Sequence, residues 1–542
     1  MNGARSALVL AAAGGFLVLA ACQQKAVRPP CPAGQVCYEL GNGSEPISLD
    51  PPKTTGTWES RILGDLFVGL TEDAPDGSAA PGMATSWTTS SDGKVWTFHL
   101  RDAKWSDGAP VTADDFAFAF RRLMDPKTAS EYAYLLYFIK NAQAVNEGKA
   151  PLDALGVRAI DPHTFEITLD HPAPYLPEIL KHQITYPIPK HVVDRWGDAW
   201  LEDQHYVSNG PYKLAFWKLG DHIHATKNPY FWDAKSVCID QVDYYPTTDN
   251  IAAERRVKRG ELDVNTDVAS NRVAYLRGPG HMAPYVRVHT YLGVSYLVFN
   301  TRDVPALRDR RVRQALSMGV DREFLTQKLA RAGELAAYSM VPPGTANYTP
   351  PAPPLWSTWP FAKRQAQARR LLSEAGYGPG HPLKLEYKTA ITTGGSLGAA
   401  ALQADWRAIG ADITIASADT EVLYQDLRMR NFQISGASWV ADYNDATSFL
   451  ELQQSQTGAQ NYGDYNNSAY DALLAKADNE ADIKKRATDL AEAEKIMIDD
   501  AAIAPIDFLV NKNLVSPQVT GWVDNISDWH RTRYLCFKGA GR

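Results

Sequence analysis

The sequence predicts an α/β protein of two or three domains, and three observations carry that reading. At 542 residues, 45% hydrophobic and 22% charged, the chain is long enough to build more than one core. Half-buried strand patterns mark its first half, where Trp96, Phe98 and Leu100 alternate with Thr97, His99 and Arg101, and Phe165, Ile167 and Leu169 alternate with Thr164, Glu166 and Thr168. From about residue 293 the pattern shifts to helices, one opening over 309–316 and another over 363–375 that stops at Gly376, a residue suited to a helix C-terminus. The formal net charge is −7 with no basic stripe, so no nucleic-acid partner is expected, and no low-complexity block marks disorder. The 14 Trp and 25 Tyr suit a pocket that accepts varied side chains, although most of them belong to the core.

Residues 1–22 combine Arg5, an apolar stretch from Ala7 to Ala20 and the run Leu19-Ala20-Ala21-Cys22. A short positive region, an apolar region too short for a comfortable membrane span and small residues ending in Cys resemble a lipoprotein signal, with Cys22 as the lipidated first residue. The mature protein is then expected to be exported and held by its lipid, since no later segment reaches the roughly 18 consecutive apolar residues of a spanning helix. A linker over residues 23–30 follows. Four cysteines remain, and four permit three pairings in an exported protein. Cys31 and Cys37 bracket a turn-like loop, so local closure is the cheapest pairing and leaves Cys238 with Cys536. Their spacing fits no zinc site, and no metal is expected.

Gly41 to Pro46 lead into Ser48-Leu49-Asp50-Pro51 and then Thr55-Gly56-Thr57-Trp58-Glu59-Ser60. A Gly among small residues lets another backbone approach closely. Pro81 to Trp87, Lys94 to Arg101 and Lys104 to Gly108 form a dense run. Thr112 with Asp115 reads as a capping box ahead of the helical face Phe116, Ala119, Phe120 and Leu123. Tyr132 follows Thr128-Ala129-Ser130, and Pro187 to His191 reads as an extended crossover without regular structure. His222 and His224 share a strand face, but two His without a third ligand read as a solvated face.

The run Ser438-Trp439-Val440-Ala441-Asp442-Tyr443-Asn444 places one carboxylate directly after a mostly apolar strand end. Burying an unpaired charge costs several kcal/mol, by rough estimate, unless a cation or hydrogen-bond donors compensate it. With Thr447-Ser448-Phe449-Leu450 behind it, this run closely resembles the segment that holds the peptide ammonium in bacterial oligopeptide-binding proteins of ABC importers. The motifs at 48–67, 81–108, 208–212 and 228–232 resemble that family in the same order, across nearly the whole mature chain.

The resemblance implies a two-lobed periplasmic-binding-protein fold with an extra subdomain and a ligand cleft between the lobes. It divides the chain into lobe I (31–67, 190–292 and 510–542), subdomain II (68–189) and lobe III (293–509). Asp442 is then the ammonium anchor, backbone edges at Ser438, Trp439 and Val440 and at Thr55, Gly56 and Thr57 pair with an extended peptide, and the Tyr132 ring contacts it. The expected protein is a monomeric, non-enzymatic binder of the periplasm or cell envelope, delivering peptides to an inner-membrane ABC permease that this chain does not contain. Three positions depart from those relatives. Gly436 stands where they carry a basic residue, no His occurs in Thr389 to Gly394 to meet a peptide carboxylate, and Val440 replaces their cysteine.

A rival reading comes from Gly394-Gly395-Ser396-Leu397-Gly398, which satisfies the G-x-S-x-G pattern of serine hydrolases between a strand-like run (383–387) and a helix-like run from Ala399. Only His530 follows Ser396 as a candidate base, and no oxyanion segment of the HGGG type is present. A Gly-Ser loop ahead of a helix explains the run without catalysis.

Overall fold

Two strands far longer than the usual five or six residues, Val286–Phe299 and Ile503–Val515, form the spine of the computed structural model, which describes residue 28 and residues 30–540. They pair antiparallel along most of their length. Beyond Gly293 the first strand also pairs with Ile434–Val440, which leads through Leu383–Ala390 to Ala411–Ala418. At the other end, Leu514 and Val515 pair with Val264–Asn265. From there the sheet continues through Cys37–Gly41, Gln241–Tyr245, His222–Lys227 and Tyr212–Lys218. All belong to one mixed sheet of 11 strands.

Between its two halves the spine is interrupted. Thr290 faces Val510 but Val294 faces Phe508, so Tyr291, Leu292 and Gly293 bulge opposite Leu509. Past the bulge, Val294, Tyr296 and Val298 enter one core, while Leu297 and Phe299 enter another on the opposite face. Burial on both faces explains why this segment is a continuous apolar run rather than an alternating one.

A second sheet of four strands, in the order Ala84–Thr89, Val95–Leu100, Thr164–Thr168, Val157–Asp161, carries the alternation seen in the sequence. Trp96, Phe98 and Leu100 are buried, as are Phe165, Ile167 and Leu169. The helix Ala113–Met124 presents Phe116, Ala119, Phe120 and Leu123 to the same core, and its capping box closes when Thr112 N–H donates to Asp115 Oδ2 at 2.8 Å.

The expected helices lie at Arg310–Met318 and Phe361–Glu374, the latter two residues earlier than read, and Gly376 has the left-handed φ of +91° that a helix stop requires. The crossover reading of Pro187 to His191 is corrected: the helix Lys190–Trp196 starts there, with Pro189 immediately ahead of its first turn. A proline just before a helix sets the chain direction without removing a helical hydrogen bond. Cys31–Cys37 and Cys238–Cys536 stand at disulfide distance, with Cα separations of 5.8 and 5.4 Å. Among the described residues no helix is long and apolar enough to cross a membrane. The signal and Cys22 lie outside the described residues, as does nearly all of the 23–30 linker.

Candidate functional site

The strand Ile434–Val440 and the loop after it are bordered by three cavities in succession. The first, about 420 Å³, is lined by Gly436, Ala437, Ser438, Tyr424 and Asp507. The second, about 190 Å³, brings together Thr55, Thr57, Tyr132, Val440 and Asp442, which the sequence reading had placed at one site from distant positions. The third, about 280 Å³, is shared by Trp439 and Asp442 with Tyr134, Tyr175, Glu451 and Asp478.

Asp442 follows the strand end because Ala441 N–H still donates to Leu292 O at 2.9 Å, while Asp442 N–H turns to the Ser448 hydroxyl at 3.1 Å. Its carboxylate accepts one hydrogen bond, from the Tyr134 hydroxyl at 3.1 Å, and among the described residues no cation lies within ion-pair distance. Burial therefore pushes its pKa up to about 6, against the opposing pull of Tyr134. The other charges of the second cavity are already matched. Arg531 pairs with Asp73 at 2.6 Å, and Lys181 pairs with Glu178 at 2.7 Å. His182, behind the Tyr132 ring, is held down to about 4 by burial and stays neutral.

The loop that carries Asp442 is locked from below. Asp445 accepts two hydrogen bonds from Arg486, both 2.8 Å, and the guanidinium lies 4.4 Å from the Tyr175 ring centroid. Tyr175 in turn stacks on Tyr443, with centroids 5.6 Å apart.

The backbone edges differ from expectation in two places. The bond from Ala441 to Leu292 sets the antiparallel alternation, which turns the main-chain groups of Ser438 and Val440 to the other edge. There the Tyr424 hydroxyl takes both Ser438 groups, donating to its C=O and accepting from its N–H at 3.1 Å each, so only Val440 offers an open edge. On the opposite wall Gly56 N–H is bound by Glu59 Oε2 at 2.8 Å, and Thr57 begins the helix Thr57–Leu66. Thr55 keeps a main chain without hydrogen bonds among the described residues. Gly436 has a physical reason to lack a side chain, since a Cβ there would stand 2.7 Å from the Tyr387 hydroxyl.

The hydrolase pattern is not realised as an elbow. Residues 394–398 lie in the first turns of the helix Thr393–Ala408, where Ser396 N–H donates to Thr392 O at 2.9 Å. His530 is engaged elsewhere, bonded to Asp528 at 3.0 Å and stacked on Trp522. His222 and His224 converge on Asp243 Oδ1 at 3.6 and 2.6 Å. Sequence reasoning did not single out Tyr134, Tyr424, Glu451 or Asp478. Tyr134 carried one usable signal, its position two residues after Tyr132.

Two lobes joined by a shared sheet, with a subdomain beside them and a cleft at the junction, define a solute-binding protein of the two-lobed periplasmic type. The chain belongs to the bacterial extracellular solute-binding proteins, family 5, whose middle region matches residues 78–461. It is 36% identical to the periplasmic oligopeptide-binding protein OppA of Salmonella typhimurium over 528 residues, covering 95% of this chain and 96% of the relative. It is 37% identical to the periplasmic murein peptide-binding protein MppA of Escherichia coli over 500 residues, covering 91% of each. Among solved structures, MppA in its unliganded open form matches with a TM-score of 0.85 at 35% identity, covering 93% of this chain and 98% of that one. Haemophilus influenzae OppA in complex with the peptide RPPGFSPFR matches at 0.73 and 32% identity, covering 93% and 99%.

Proposed function

We propose that this protein captures peptides in the periplasm for an ABC importer, enclosing them between its lobes with Asp442 paired to the N-terminal ammonium. One observation carries the reading: Asp442 is a carboxylate on the cleft wall with one neutral hydroxyl as its partner, beside an open strand edge at Val440. A peptide ammonium is the cation such a group lacks, and an extended peptide main chain is what such an edge pairs with. Tyr132 closes the same cavity. The lobes divide as 31–67, 190–292 and 510–542 against 293–509, with 68–189 as the subdomain, and the bulge at Tyr291 to Gly293 serves as the hinge. The protein works as a monomer without catalysis, and an inner-membrane permease receives its cargo. Native mass spectrometry of the purified protein, with the carried-over ligand released and sequenced, tests the proposal. Peptides are expected, and a non-peptide ligand would overturn it.

The cavity shared by Trp439 and Asp442 favours a cationic side chain next to the ammonium. Glu451 and Asp478 face it together, and burial first, then Asp478 and Asp445, push the Glu451 carboxyl up to about 8. A Lys or Arg side chain would relieve that cost. Tripeptides beginning with Lys are expected to bind about tenfold more tightly than those beginning with norleucine, near 1.4 kcal/mol. Glu451→Gln with Asp478→Asn removes the difference, and equal affinity of both peptides for the unaltered protein would show that the cavity does not read charge.

Cys22 is the lipid attachment point in this reading. Cys22→Ser is expected to move the protein from the membrane fraction to the soluble fraction with unchanged peptide affinity. Retention in the membrane fraction would place the anchor elsewhere.

A further inference from the structure

Behind the cleft, His289, Asp528 and His530 bring one donor atom each to within 4.8 Å of one another. His289 Nε2 and His530 Nε2 lie 3.2 and 3.0 Å from the same Asp528 oxygen, Oδ1. Asp528 is buried and the two His rings are largely enclosed, the side chains of His289, Asp528 and His530 being exposed by 10, 6 and 8%. His289 Nδ1 has no hydrogen-bond partner, and Nε2 meets only Asp528 Oδ1, outside good hydrogen-bond geometry. A largely enclosed ring nitrogen left unpaired calls for a missing partner.

We propose that these three residues form a zinc site. Two imidazoles and one carboxylate are a zinc donor set that leaves a fourth position for water. Ligands about 2.0–2.2 Å from a tetrahedral ion stand roughly 3.3 Å apart, close to the spacing around Asp528 Oδ1. The surroundings supply the supports that metal ligands use. Asn513 Nδ2 donates to Asp528 Oδ1 at 2.8 Å, and Asp524 Oδ1 lies 3.9 Å from His289 Nδ1, beyond hydrogen-bond reach. Asp524 is itself fixed by the Trp522 indole N–H at 3.0 Å, and Trp522 stacks on His530 with centroids 3.6 Å apart. The nearest opposing charge is Arg61, 3.8 Å from the other Asp528 oxygen, where it partly balances the carboxylate without occupying Oδ1.

The trio ties two parts of the fold. His289 sits on the long strand just before its bulge, opposite Asn511, while Asp528 and His530 flank Trp529, which lines the cavity that holds Asp442. Bound zinc would fix the cleft-lining segment to the strand at the hinge. The spacing hides this in the sequence, because His289 sits on a central strand and His530 in a loop far along the chain.

The test is isothermal titration of zinc chloride into the untagged full chain after chelator treatment, read alongside Trp fluorescence. One zinc per chain is expected, with a fluorescence change from Trp522 beside His530. His289→Ala with His530→Ala should weaken binding at least 100-fold. His222→Ala with His224→Ala, at the half-buried pair on Asp243, should leave binding unchanged. Absence of binding to the unaltered chain would overturn the site without reference to any variant. Loss of binding only in the His222/His224 variant would assign the zinc to that pair instead.

Discussion

Asp442→Asn is expected to weaken binding of a peptide with a free N-terminus by roughly 30-fold or more, because truncating one partner of a desolvated charge pair costs about 2–5 kcal/mol. The substitution keeps shape and the bond from Tyr134, so the loss reports charge. A pH dependence follows from the raised pKa of Asp442, about 6, whose cause is burial. The sign is that of an acid raised in the folded state. Below pH 6 the free protein holds a neutral Asp442, and peptide binding must expel that proton. Affinity therefore falls as pH drops below 6, by up to about tenfold per unit. Above pH 6 the carboxylate is ionised and affinity is level. The Asn variant removes this slope, which titration calorimetry between pH 4.5 and 7.5 would read; an unchanged slope would assign it to another group.

Arg486→Met is expected to destabilise the protein by about 3–5 kcal/mol, since removing one partner of a buried pair leaves the other charge uncompensated. Arg486 and Asp445 are each exposed by only 2%. Asp445 lies three residues beyond Asp442, so the same substitution loosens the anchor loop and weakens peptide binding as well. Adding Asp445→Asn to Arg486→Met should recover much of the stability, because neither member of the pair then leaves an uncompensated charge. Denaturant unfolding of the three variants gives the answer, and equal losses for Arg486→Met and the double variant would mean that packing against Tyr175 carries the cost.

Local rules made much of the scaffold legible. Thr112 and Asp115 are three residues apart, and Trp96, Phe98 and Leu100 obey a period of two, so neighbouring residues contained the whole signal. The second half of the Val286–Phe299 strand was not legible because burial on both faces erases that period. The Gly-Gly-Ser run matches the G-x-S-x-G pattern or a Gly-Ser loop in sequence, yet Thr392 caps it into a helix by accepting from Gly395 N–H at 2.9 Å. In the site, Asp442 stood out as a charge at an apolar strand end. The Tyr424 hydroxyl on Ser438, the Tyr387 hydroxyl in the space beside Gly436 and the acidic pair Glu451 and Asp478 are tertiary meetings with no local pattern.

The central claim is that Asp442 receives the peptide ammonium, and one calorimetric cycle tests it most directly. A peptide and its N-acetylated form are titrated into the unaltered protein and into Asp442→Asn. The account predicts that acetylation and substitution each remove most of the affinity and that the second change adds little to the first. Equal losses from Asp442→Asn with the free and the acetylated peptide would contradict it.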